Sequence, residues 1–92
     1  MQDIPEAVKL ADSALVQKVS DEMVILDVNS GQYYTLNEVA ADMVELLKSG
    51  NSVSNVVNAI CAQYDAQESE VKTDLHELLV TLLDKKLVYP VK

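Results

Sequence analysis

The sequence predicts an α+β fold of winged-helix-like arrangement, in which a three-stranded antiparallel sheet is followed by three helices. Three observations carry that prediction. The apolar period changes from two residues to nearly four across Gly31-Gln32-Tyr33-Tyr34-Thr35-Leu36-Asn37. The turn signals Ser20-Asp21 and Asn29-Ser30-Gly31 leave room only for hairpins between the segments they separate. The chain has 92 residues, 49% of them hydrophobic, with two glycines and two prolines, a composition that supplies one folded core.

Residues 1–12 show no firm period, and Pro5 breaks an early helix. They read as a flexible N-terminal arm ahead of a single domain over 13–92. From Ala14 to Val19, Leu15, Gln17 and Val19 alternate with Val16 and Lys18, which is the period of a strand. Met23 to Val28 is a β-rich apolar run, and Gly31 supplies the positive φ of the turn that follows it. Gln32 to Leu36 makes the third strand of the meander.

The first helix starts at Asn37, a good cap, with Glu38 in the favoured first turn; Thr35 and Glu38 also have capping-box spacing, which leaves the start open by two residues. Val39, Ala40, Met43, Val44, Leu46 and Leu47 form its apolar stripe, and Gly50 stops it. Ser52 caps a second helix whose Val53, Val56, Val57, Ile60, Cys61 and Tyr64 give the cleanest stripe in the chain. The third begins near Gln67 or Glu68, and its apolar stripe is Val71, Leu75, Leu78, Leu79, Leu82 and Leu83. Pro90 prevents its continuation, and Leu87, Val88 and Tyr89 can pack or pair as a short terminal strand.

Fifteen acids against seven Lys and Arg give a net charge of -8, which repels nucleic acid and anionic lipid surfaces. Cys61 is the sole cysteine and His76 the sole histidine, too few for a disulfide or a Cys/His zinc site. Cys61 lies in a core stripe, and the acids Asp65, Glu68, Glu70, Asp74 and Glu77 lack calcium-loop spacing. No phosphate-binding glycine loop is possible with two glycines. The expectation is therefore a protein without catalytic residues, metal or cofactor. The N-terminus lacks the basic and apolar regions of a signal peptide, and no apolar run spans a bilayer, so the expected location is cytoplasmic.

The third strand sits at a sheet edge, and a free edge is a place where a peptide can add as a strand. Leu36 must be core beside the helix cap, so Tyr34 points inward with it, while Tyr33 and Thr35 point the other way. On the third helix Val71, Leu75, Leu78 and Leu82 suffice for the core, leaving Leu79 and Leu83 toward one flank. If that flank lies beside the third strand, the two elements form a groove with apolar walls. On the residues alone, both tyrosines serve equally well as ordinary strand residues. The helix order and the short Gly50-Asn51 turn also admit a DNA-binding winged-helix regulator, against which the acidic third helix and the net charge both weigh.

Val24-Ile25-Leu26-Asp27, Ser30 to Asn37, Val53-Ser54-Asn55-Val56-Val57, Tyr64-Asp65 and Val71 to Leu79, in this order and spacing, resemble the PqqD family. Its members are recognition elements for the precursors of ribosomally made, modified peptides (RiPPs). The Gly31-Gln32-Tyr33-Tyr34-Thr35-Leu36-Asn37 form is most similar to the small stand-alone members of lasso-peptide pathways. The resemblance runs from about Leu15 to Val88. It implies that a leader peptide binds as a fourth antiparallel strand between the third strand and the third helix, and is handed to a leader peptidase. In pyrroloquinoline-quinone biosynthesis the receiving partner is instead a radical enzyme using S-adenosylmethionine. By family position, Gln32, Tyr33, Tyr34 and Thr35 would line the strand side, and Lys72, Leu75, His76, Leu79 and Leu83 the helix side, with Asp74 at the family's acidic position. Lys85-Lys86 departs from the family, many of whose members carry glycine before the final apolar pair. A monomer is expected, with an edge-swapped dimer possible.

Overall fold

Tight turns decide the sheet. The structure, a computed structural model, describes residues 5–91. In chain order its strands are β1 (Val8–Leu10), β2 (Ala14–Val19), β3 (Glu22–Asp27), β4 (Tyr33–Leu36) and β5 (Val88–Pro90), and its helices are α1 (Glu38–Lys48), α2 (Val53–Tyr64) and α3 (Glu68–Asp84). Ser20 adopts a positive φ of 55° between β2 and β3, and Gly31 a φ of 77° before β4. At Gly31 that conformation is free of Cβ strain. The resulting sheet has the order β2-β3-β4, all antiparallel. Leu15 faces Leu26, which faces Tyr33, whereas Val16 faces Ile25, which faces Tyr34. The two rows occupy opposite faces, because successive side chains alternate. Met23 and Ile25 are fully buried under the helices.

The helix starts follow the caps read from the sequence. Asn37 accepts a hydrogen bond from the Ala40 amide at 2.9 Å, and Ser52 accepts one from the Asn55 amide at 3.2 Å. Asn37, not Thr35, is thus the cap of α1. α2 has a second anchor at its N-terminus, since the Glu6 carboxylate accepts the Ser54 amide at 3.0 Å. That bond, at the positive end of a helix, holds the Glu6 carboxyl below the usual carboxylate range.

Two helices end in the same way. At the end of α1, Gly50 (φ 96°) donates to the Leu47 carbonyl and Asn51 to the Leu46 carbonyl. At the end of α3, Lys86 (φ 61°) donates to Leu83 and Leu87 to Leu82. Both are Schellman closures, and the buried Leu82 and Leu87 supply the apolar contact that accompanies the second. Lys86 therefore occupies a left-handed position that glycine fills without strain.

The Schellman turn sends the chain back as β5, which pairs antiparallel with β1 through Val8↔Pro90, Lys9↔Tyr89 and Leu10↔Val88. Part of the segment read as a flexible arm is therefore a strand, and Val8 belongs to the core. Three residues are too few to show a period of two, so nothing local marks them. Residues 1–4 of that arm lie outside the described residues.

One polar cluster fixes the helices against the sheet. Asp42 on α1 accepts hydrogen bonds from Lys18 of β2 at 3.2 Å, from Gln63 of α2 at 2.9 Å and from the Tyr64 hydroxyl. The Tyr64 bond, ahead of the lysine, holds the Asp42 carboxyl below the usual range despite partial burial, and the same bond raises the Tyr64 phenol. Among the described residues no helix is long and apolar enough to cross a membrane.

Candidate functional site

β4 is an edge strand: β3 pairs with one side of it, and among the described residues no strand pairs with the other. Tyr34 is half-buried and joins the core from below, with its hydroxyl donating to the Gln32 side-chain oxygen at 3.0 Å. That bond steadies the entry to the strand. Across from the edge lies α3. The Lys85 ammonium stands 4.9 Å from the centroid of the Tyr34 ring, which brings the end of α3 over the start of β4.

Farther along, Asp74, Glu77, Leu78 and Thr81 of α3 face Asn37, Val39, Ala40 and Met43 at the start of α1, with a concave surface between them. Asp74, Leu78, Thr81 and Lys85 recur at helical spacing, so they share one face of α3, which meets the start of α1 at one end and the Tyr34 ring of β4 at the other. The floor is apolar, through Val39, Met43 and Leu78, while the rim carries the carboxylates Asp74 and Glu77. An unpaired strand edge and an apolar helix flank can together hold an extended peptide, whose main chain would bond the edge while alternate side chains enter the groove.

The expected strand residues divide between the two faces of the sheet. Tyr34 faces the helices, whereas Tyr33, 68% exposed, lies on the outer face beside Leu15, Val24 and Leu26. Thr35 shares that outer face, and Gln32 is exposed just before the strand. On α3 the expected flank is displaced. Leu75 and Leu79 are 1% and 0% exposed, so they are core. Leu79 was expected beside the groove and Leu78 inside; the structure exchanges them, because the buried row is Val71, Leu75, Leu79 and Leu82. Leu83 is partly buried against the core rather than on the groove stripe. Lys72 is exposed and paired with Glu68 at 3.0 Å, and His76 lies with Lys72, Thr73 and Glu77 on another part of the helix surface. Of the expected helix residues, Asp74 lines the concave surface against the start of α1. Leu78 and Thr81, the cap Asn37, and Val39, Ala40 and Met43 of α1 line it beside Asp74 and were not expected there. The spacing of Asp74, Thr81 and Lys85 around Leu78 is the signal that could have found the stripe, since a leucine flanked at those positions by polar residues sits at a boundary.

The family model for coenzyme PQQ synthesis protein D (PqqD) matches residues 22–88. The chain belongs to the PqqD family. Two solved structures share the PqqD-like fold closely. One, TbiB1 in complex with the TbiA(beta) leader peptide, superposes with a TM-score of 0.84 at 31% identity, covering 91% of this chain and 98% of that one. The other, a lasso peptide synthetase B1 complexed with the leader peptide, gives a TM-score of 0.81 at 28% identity, with 90% and 98% covered. No curated protein matches the chain in sequence. The PqqD assignment confirms the α+β arrangement of a three-stranded sheet followed by three helices, to which β1 and β5 add a second, two-stranded ladder.

Proposed function

We propose that this protein is a non-catalytic adaptor that binds the leader segment of a ribosomally made precursor peptide and presents it to a leader peptidase of the lasso-peptide type. The leader adds to β4 as a fourth strand, with Tyr34 and the α3 stripe Asp74, Leu78, Thr81 and Lys85 as its walls. The observation that carries this reading is the β4 edge, unpaired among the described residues and near the α3 face, in a family member similar to two solved complexes with leader peptides. A ribosomally made partner supports action in the cytoplasm.

A second reading follows from the matched family itself, a coenzyme PQQ synthesis protein: the receiving partner would then be a radical S-adenosylmethionine enzyme. Both readings use the same groove and differ only in the enzyme. A DNA-binding role finds no support in a chain of net charge -8.

Fluorescence anisotropy with the labelled leader of any precursor peptide encoded beside this gene tests the proposal. Saturable binding, lost in Leu78→Asp while the far-ultraviolet circular dichroism is kept, is expected. Absence of binding at tens of micromolar would overturn it. Mixing the loaded protein with the neighbouring peptidase or radical enzyme then separates the two readings by which product forms.

A further inference from the structure

The lysines of α3 and its surroundings differ in what they face. Lys18 is paired with Asp42 and Lys72 with Glu68. Lys85 instead lies over the Tyr34 ring, and no carboxylate partner stands within ion-pair distance of it among the described residues. An aromatic face holds an ammonium in position without neutralising it. Lys85 is thus a fixed, unspent positive charge at one end of the groove.

The other end has the opposite sign. Asp74 and Glu77 share their pocket with Asn37 and Val39, immediately beyond the C-terminal end of β4, whereas Lys85 meets Tyr34 near its N-terminal end. α3 therefore runs antiparallel to β4. A strand added antiparallel to β4, the orientation that continues the sheet's own pattern, runs parallel to α3. Its N-terminal end lies beside Asp74 and Glu77, and its C-terminal end beside Lys85. Asp74 and Lys85 are eleven residues apart, or roughly 16 Å at ~1.5 Å per helical residue, which about five extended residues span at ~3.4 Å each.

We propose that Lys85 is a specificity-determining residue of the groove. The segment it selects carries a carboxylate at its C-terminal end, beside Lys85, and no carboxylate about five residues earlier, beside Asp74 and Glu77. A cation is favoured at that earlier position. This rests on the peptide-binding reading above and narrows its substrate class to leaders of one axial charge asymmetry. Like-charge juxtaposition at either end rejects the reverse pattern, so the groove also fixes chain direction.

The test is selection from a display library of randomised twelve-residue peptides on the wild-type protein, Lys85→Glu, Lys85→Gln and Lys9→Glu. Lys9, on the β1–β5 ladder, matches the charge change of the first variant away from β4. Wild type and Lys9→Glu should enrich Asp or Glu at the C-terminal end of the recovered motif, Lys85→Glu should enrich Lys or Arg there, and Lys85→Gln should show no charge preference. For one recovered peptide, the charge reversal in the protein alone should weaken binding roughly three- to tenfold, with recovery when the peptide's acid is changed to lysine. Recovery of binding peptides whose charge pattern is the same on wild type and Lys85→Glu overturns the role of Lys85 and leaves the peptide-binding reading standing. Recovery of no peptide by the wild type overturns both.

Discussion

Leu78 and Leu79 are adjacent leucines with different duties. Leu79 is fully buried, so Leu79→Ala should cost about 2–5 kcal/mol, read as a lower urea midpoint. Leu78 is partly buried and lines the groove, so Leu78→Asp should lower leader affinity at least about tenfold while the protein still unfolds cooperatively. Leucine at both positions fits either rotation of the helix, and only the polar Asp74, Thr81 and Lys85 spaced around Leu78 mark it as the boundary residue. Burial of Val71, Leu75, Leu79 and Leu82 sets the rotation, and Lys85 over Tyr34 lies on the face that this rotation turns outward. Asp42 offers a residue-scale prediction for pH. Its folded carboxyl is lowered, first by the Tyr64 hydroxyl, so its contribution is complete above the unfolded value of about 4 and is lost as pH falls through the lower folded value. Asp42→Ala should therefore cost about 1–3 kcal/mol at pH 7, and the gap to wild type in urea midpoint should narrow as pH falls from about 4 through the lower folded value.

At the scale of elements, the caps were the most legible part of the chain. Asn37, Ser52 and Gly50 announce their roles through side-chain chemistry or backbone freedom, and each acts where it was expected. The end of α3 was harder to read, because Lys86 gives no such sign. It nonetheless takes the left-handed position of a Schellman closure, at a conformational cost of about 1 kcal/mol relative to glycine. Lys86→Gly should accordingly raise stability by roughly 0.5–1 kcal/mol, measured by thermal unfolding, after allowance for the freer unfolded chain. β1 was illegible for a different reason: its stability is wholly non-local. Removing residues 1–12 exposes the β5 edge and deletes buried Val8, so the truncated chain should lose at least about 2 kcal/mol, or roughly 8–16 °C in Tm.

For the whole molecule, the sheet was readable from alternation and turns, while the groove was only half readable. Its strand wall is sequence-local, but its helix wall depends on how α3 is rotated against α1 and β4, a property of packing. The residues that position it come from three elements, with Asp42 joining β2, α1 and α2 behind them. The ladder of Val8 and Pro90 has a further consequence. Paired strand residues lie only about 5 Å apart, so Val8 and Pro90, near the two ends of the described chain, meet side by side in the folded unit. Such a unit can be spliced into a loop of a larger host without stretching either. It can equally be rejoined by a short linker and reopened at Asn29-Ser30, in an exposed turn. The reopened chain should fold and keep its leader affinity within about threefold, since the edge strand and α3 remain uncut. In evolutionary terms, the closed seam makes this fold a cassette.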